Sequence, residues 1–204
     1  MERSGLFEDR RFGAAARGTV LILTCGGLLS SCKGIAHEGK QQPVSIFEAF
    51  TPTTPAMAAA WAADEYDADK RYRGMLLLAN APFGGERVYV EMYTKASADA
   101  DPAVRSAAIR GLALHGSPEH VPLILQQFDD PDRLLRWECA RALQRLHNRE
   151  AIPALLKHSA QRTEEEALVR AASADALGQY AEPRVIDGLT AALGDRDLSV
   201  NEAA

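Results

Sequence analysis

Every 31 to 34 residues this chain repeats itself, and no other feature constrains its fold as strongly. An apolar-Arg pair, Val104-Arg105, recurs as Leu135-Arg136 and Val169-Arg170 and is degraded to Val200-Asn201; Lys70-Arg71 holds the same place upstream. The second members of these pairs are spaced 34, 31, 34 and 31 residues apart, a period expected of stacked helical hairpins. Other columns keep the same register. Four residues before each anchor stands an acid: Asp67, Asp101, Asp132, Glu166 and Asp197. Three after it stands a small residue: Gly74, Ala108, Cys139, Ser173 and Ala204. Seven after it stand Leu78, Leu112, Leu143 and Leu177.

Within one unit, residues 101–130 read as two amphipathic helices and a turn. Asp101 supplies a cap and Pro102 the first turn. Val104, Ala108 and Leu112 then fall on one face. Gly116-Ser117-Pro118 ends that helix, and Val121, Ile124, Leu125 and Phe128 stripe the next. The chain is 47% hydrophobic but only 6% aromatic, which suits stacked Ala/Leu helix pairs. Such pairs bury their faces against neighbouring pairs, so about three or more are needed for stability. The expectation is an all-α chain of about four full repeats and a partial fifth.

DPAVRSAAIRGL, DRLLRWECARAL and EALVRAASADALG, each followed by EHVPLIL, EAIPALL or PRVIDGL, resemble the HEAT repeat, in particular the short HEAT-like repeat of phycobilisome lyases. The resemblance covers roughly residues 55–204 and implies a right-handed α-solenoid of helical hairpins. It says little about function, because this repeat serves binding proteins, scaffolds and a few enzymes.

Within that domain, Thr54-Pro55 opens a helix expected to run to about Tyr66. Repeat 1 pairs 67–80 with 86–98, repeat 3 pairs 132–147 with 149–160, and repeat 4 pairs 164–180 with 183–193; a further first helix starts at Asp197. Pro122 and Pro153 fall early in second helices, where a missing N–H costs least. Tyr89 and Tyr93 lie four apart on one second helix and read as partly buried packing. The chain ending at Ala204 reads either as part of a longer array or as a frayed last helix.

Residues 1–31 read as a bacterial lipoprotein signal peptide. Arg10, Arg11 and Arg17 precede an apolar run, GTVLILTCGGLL, too short to span a bilayer comfortably. Leu29-Ser30-Ser31-Cys32 resembles a lipobox, which implies a lipid on the Cys32 thiol and cleavage after Ser31. An ordinary secretory signal or an uncleaved anchor is the alternative. Lys33 after Cys32 favours, by resemblance, the outer membrane or the periplasmic face. Residues 32–54 read as a flexible tether. Cleavage would leave Cys139 as the sole unmodified thiol; in the small-residue column, it reads as packing.

Little in the chain carries chemistry. The acid/Arg columns (Asp101 with Arg105, Asp132 with Arg136, Glu166 with Arg170) read as i,i+4 pairs that stack into a structural ladder. His115 and His120 are five apart and do not share a helix face. HEAT-type di-iron hydroxylases carry His-Glu pairs within their repeats, whereas here the one His-Glu is His37-Glu38, in the tether. Motifs for zinc hydrolysis, thiol pairs, nucleophile elbows and phosphate loops are missing. The expectation is no enzyme, no metal and no cofactor. A net charge of −5 argues against nucleic-acid binding and leaves the membrane to the lipid anchor.

The favoured function is therefore a non-enzymatic, membrane-anchored protein-interaction or scaffold module with a protein or peptide partner in the cell envelope. The alternative is an accessory or lyase-like protein acting on a cofactor-bearing partner. Second helices of HEAT arrays usually line the concave face, so Glu119, Leu123, Gln126 and Gln127, then Lys157 and His158, then Arg184 and Asp187 are the candidate partner-binding positions.

Overall fold

A computed structural model describes residues 54–204, and the stretches read as signal peptide and tether, with Cys32, lie outside them save for Thr54. The described residues form ten α-helices and no strand: α1 (Pro55–Ala62), α2 (Ala68–Ala79), α3 (Arg87–Ala96), α4 (Pro102–His115), α5 (Val121–Gln127), α6 (Arg133–Leu146), α7 (Ile152–Ser159), α8 (Ala167–Leu177), α9 (Pro183–Ala192) and α10 (Leu198–Ala203). The fold is an all-α solenoid.

Local chemistry sets the helix starts. Asp101 Oδ1 accepts from the backbone N–H groups of Ala103 and Val104, and Asp132 Oδ1 from those of Leu134 and Leu135. Asp67 and Asp197 do the same for Lys70 and Ser199. Each carboxylate satisfies N–H groups that the first turn leaves orphaned. Glu166 occupies the same place on α8 without such a bond.

Two layers follow. The first helices α2, α4, α6, α8 and α10 stack in sequence, with α1 against α2 at the head of the row. Second helices α3, α5 and α7 lean on the first helix of the following repeat, α4, α6 and α8 respectively. The fully buried Leu78, Leu112, Leu143 and Leu177 form the large-residue column of this core. Small residues allow the close stacking: a Cβ on Gly74 would lie 2.3 Å from the Ala62 backbone nitrogen of α1.

Several elements differ from the sequence expectation. The first helix stops at Ala62 rather than near Tyr66, because Asp64 Oδ1 accepts from the N–H groups of Tyr66 and Asp67 and turns the chain. The second helices of repeats 2 and 3 open with 3₁₀ turns, Pro118–His120 and Arg149–Ala151. Pro122 and Pro153 then fall in the first turns of α5 and α7. Residue 147 caps α6 in the left-handed region, with φ of 45°. In α10, Val200 is buried and Leu198 exposed.

Tyr93 is wholly buried, and its ring lies over Gly111 of α4, where a Cβ would come within 2.7 Å of ring carbons. Its hydroxyl donates to the Gly84 carbonyl oxygen at 3.3 Å, and burial pushes its pKa up to about 12. Tyr89 is half-buried, tilted against Phe83. The ring has no room to retreat, so Gly111→Ala is expected to destabilise the array by about 1–3 kcal/mol through overpacking. Thermal unfolding checks this, and an unchanged Tm would show that α3 and α4 can part without cost.

Candidate functional site

The most ordered polar feature of the array runs along the loops that join each second helix to the next first helix. Arg71 Nε and Nη2 donate to Asp99 at 2.8 and 2.9 Å. Arg136 donates to Glu164 at 2.8 and 2.7 Å, and Arg170 to Asp195 at 2.8 and 2.9 Å. Arg105 reaches Asp130 through Nη2 alone at 2.7 Å, and its buried Nε has no partner. The remaining Nη1 points back into its own repeat. Arg105 Nη1 donates to the carbonyls of Asp99 and Ala100, Arg136 Nη1 to those of Asp130 and Pro131, and Arg170 Nη1 to those of Glu164 and Glu165. Each arginine therefore clamps its own loop and the following one.

This pairing corrects the i,i+4 ladder read from the sequence. Asp101, Asp132 and Glu166 are not the partners of Arg105, Arg136 and Arg170. Asp101 and Asp132 are spent on helix caps, and Glu166 takes an ion pair with Arg133 at 3.4 Å. The ladder acids Asp99, Asp130, Glu164 and Asp195 stand two residues earlier. Each also accepts from the backbone N–H two residues on, as Asp101 N to Asp99 at 2.9 Å illustrates. The acid-x-acid spacing was the signal: the first acid holds the preceding arginine and the turn, and the second starts the helix.

Around the third rung the loops enclose an open cleft of about 670 Å³ lined by Asp129, Arg133, Arg136, Lys157, His158, Thr163 and Glu164 among others. His158, expected on an outward binding face, is only 4% exposed. Its ring stacks on Phe128 with centroids 4.1 Å apart. Nδ1 lies 2.9 Å from Glu164 and Nε2 2.8 Å from Asp129, so both bonds form when both nitrogens carry a proton. Lys157 pairs with Asp129. Burial alone would raise the Glu164 carboxyl, but hydrogen bonds from Arg136, His158 and the Glu166 N–H outweigh it and bring it down to about 2.

The other expected binding positions are scattered. Glu119, Gln126, Arg184 and Asp187 are exposed and Gln127 half-buried. Leu123 packs against both hydrophobic clusters and is thereby removed from any free face. Cys139 is fully buried, and burial pushes its thiol pKa up. His115 Nε2 lies 2.8 Å from the Ala79 carbonyl oxygen of the preceding repeat, and His120 folds back on Ser117. Among the described residues, no three His, Cys, Asp or Glu side chains are grouped so as to hold a metal ion.

A HEAT-repeat family model matches residues 91–168, and the model of the phycobilisome (PBS) lyase HEAT-like repeat matches residues 169–195. The chain is a HEAT-repeat protein. It is 35% identical over 94 residues to deoxyhypusine hydroxylase from Homo sapiens, covering 46% of this chain and 30% of that protein. It is 38% identical over 74 residues to deoxyhypusine hydroxylase from Gallus gallus, covering 36% of this chain and 24% of that protein. The HEAT array thus spans less than a third of these relatives. Both are HEAT-repeat enzymes, and this overturns the expectation that the chain has no enzymatic role. The di-iron group of HEAT-type hydroxylases does not fit the described residues, where no His is directly followed by a Glu and no metal-holding group is assembled.

Glu164 ties the Arg136 guanidinium, the His158 ring and a backbone N–H together. Its folded pKa lies below the ordinary value of 4.5, so its contribution is fully present above that value and is lost as pH falls toward about 2. Glu164→Gln is expected to cost about 3–5 kcal/mol near neutral pH by leaving Arg136 without its charge partner, and to flatten the acid limb of stability. Urea unfolding between acid and neutral pH checks both; parallel curves for wild type and variant would refute the assignment.

Proposed function

We propose that the array is a protein-interaction module, with a protein or peptide as its partner. The observation that carries this reading is how the polar groups are spent. The ladder arginines and acids, His158 and the caps are consumed in holding the loops together, while outward positions on both helix layers stay free. The cleft at the third rung is open and lined by side chains already paired with one another, which suits a broad surface better than a small-molecule pocket.

We place this module, by its sequence, on a lipid anchor at Cys32 in a bacterial envelope, with Leu29-Ser30-Ser31-Cys32 as the supporting motif. Full-length protein should partition into detergent, begin at Cys32 and carry acyl mass, and Cys32→Ala should abolish all three. Intact mass and membrane fractionation decide it: two soluble, unprocessed chains would remove the anchor and leave the interaction module in solution.

A second reading rests on the relatives. Their names assign hydroxylation of deoxyhypusine, and the identity of 35% over 94 residues supports a hydroxylase-like role for this array or for an assembly it belongs to. A peptide bearing deoxyhypusine, incubated with the full-length chain as purified, dioxygen and a chemical reductant, is expected under this reading to gain the mass of one oxygen atom. A peptide of unchanged mass would confine the likeness to the scaffold.

A further inference from the structure

Away from the ladder, the outer face of α6 carries a surface that packing covers only in part: Trp137 is half-buried against the core, while Leu134 and Arg145 are exposed. Leu134, Trp137, Arg141 and Arg145 fall at i, i+3, i+7 and i+11 and form a single stripe along the helix. Leu134 is half exposed at 52%, although the buried side of the same helix is closed by Leu135, Cys139 and Leu143. Arg141 stacks over the Trp137 ring, 4.8 Å from its centroid. Arg110 of α4 joins from the neighbouring repeat, 3.7 Å from the Glu138 carboxylate.

Glu138 is the one acid of this cluster, and it is buried. Arg110, Ala113, Leu114, Glu138, Arg141 and Arg145 line a notch of about 40 Å³, room for about three waters or one carboxylate group. Three guanidinium groups around one acid leave the cluster with two positive charges in a chain whose net charge is −5. Burial raises the Glu138 carboxyl despite the three arginines. In the next repeat the matching positions are Leu168, Ala171, Asp175 and Gln179, the last beyond the end of α8, so the tryptophan and the arginines are not repeated there, although Leu168 is as exposed as Leu134. Tryptophan and arginine are the residue types enriched where binding energy concentrates at protein interfaces.

We propose that Arg110, Arg141 and Arg145, with Trp137 and Leu134 beside them, form a docking surface for an acidic segment of a partner protein, whose carboxylate enters the notch while an apolar side chain covers Leu134 and Trp137. The proposal rests on the protein-interaction reading and places the contact on the outer face of the first-helix layer. The guanidinium forks supply bidentate donors to a carboxylate, and the stacked ring supplies desolvated area.

The test titrates the full-length chain with fluorescein-labelled hexaglutamate, and with the same peptide carrying a C-terminal leucine. Fluorescence anisotropy reads affinity, and the Trp137 indole N–H resonance reads location. Binding is expected to weaken on the order of tenfold in Arg141→Glu/Arg145→Glu. It should fade at about 1 M salt, where the Debye length is about 3 Å, and strengthen with the leucine. Trp137→Phe should lose the leucine gain while keeping the charge-dependent part. Equal binding by the charge-reversed variant, or an unmoved indole resonance under saturating peptide, overturns the proposal. So does a concentration-dependent dimer that Arg141→Glu dissolves, since the occupant would then be a second copy of this chain. Failure of the module reading itself is distinguished by in-cell crosslinking: a partner captured equally by wild type and Arg141→Glu refutes the patch and keeps the module, and no captured protein refutes both.

Discussion

The guanidinium-to-carboxylate bridge between successive loops is the interaction on which the array depends. Helices rich in alanine and leucine offer smooth, similar surfaces, and apolar burial is indifferent to small slides along them. A planar fork that must meet two carbonyls on one side and a carboxylate on the other is not indifferent. The ladder's net contribution to stability is modest, because the desolvation of both charges offsets much of their attraction; what it fixes is register. Its rungs are unequal. Arg170 and Asp195 are almost wholly buried and doubly bonded, whereas Arg105 makes a single contact to Asp130 and leaves a buried Nε unpaired. The second rung is therefore the place where adjacent repeats are held least tightly by polar contacts.

Close approach is the second requirement, and it comes from the small-residue column. Gly74 lets α1 stand where a preceding first helix would stand, with backbone meeting backbone. Cys139 and Ser173 fill the same column further on, fully buried. Because α3, α5 and α7 each lean on the next first helix, neighbouring repeats share their core. Stability in such an array is a sum of nearest-neighbour terms, so damage at one rung loosens one joint.

What could be read from the sequence was what repeats locally. The period, the caps at Asp101 and Asp132, the prolines in the first turns of α5 and α7, and the leucine column are all decided within a few residues. The ladder's pairing was not legible, because acids four and six residues before the arginine have the same chemistry, and the choice rests on a loop 25 or 28 residues away. His158 shows the same limit. Its spacing on α7 gave it an outward direction, but Phe128, Asp129 and Glu164, which come from the end of the preceding second helix and the loop leading to the following first helix, close over it. Leu123 is drawn inward by two clusters whose members come from different repeats. The stripe on α6 escaped notice for the opposite reason. Its residues match the periodicity of an ordinary helix, and only the solved packing shows which of them are left uncovered.

These two kinds of position explain why one architecture serves both enzymes and binding proteins. Caps, ladder and small column are framework, and a chain that keeps them will resemble any other HEAT array over tens of residues, whatever it does. Identity of 35–38% with hydroxylases is thus the expected consequence of shared framework as well as of shared chemistry, and the two are separated by the residues the framework leaves free. In this array those residues include three arginines and a half-exposed leucine gathered on α4 and α6 beside a half-buried tryptophan. Core packing accounts for the half-buried tryptophan but not for three arginines gathered around Glu138, since the next repeat has Asp175 where α6 has Arg141. A surface whose composition the fold does not require is where function has room to be written, and here that surface is cationic, aromatic and outward.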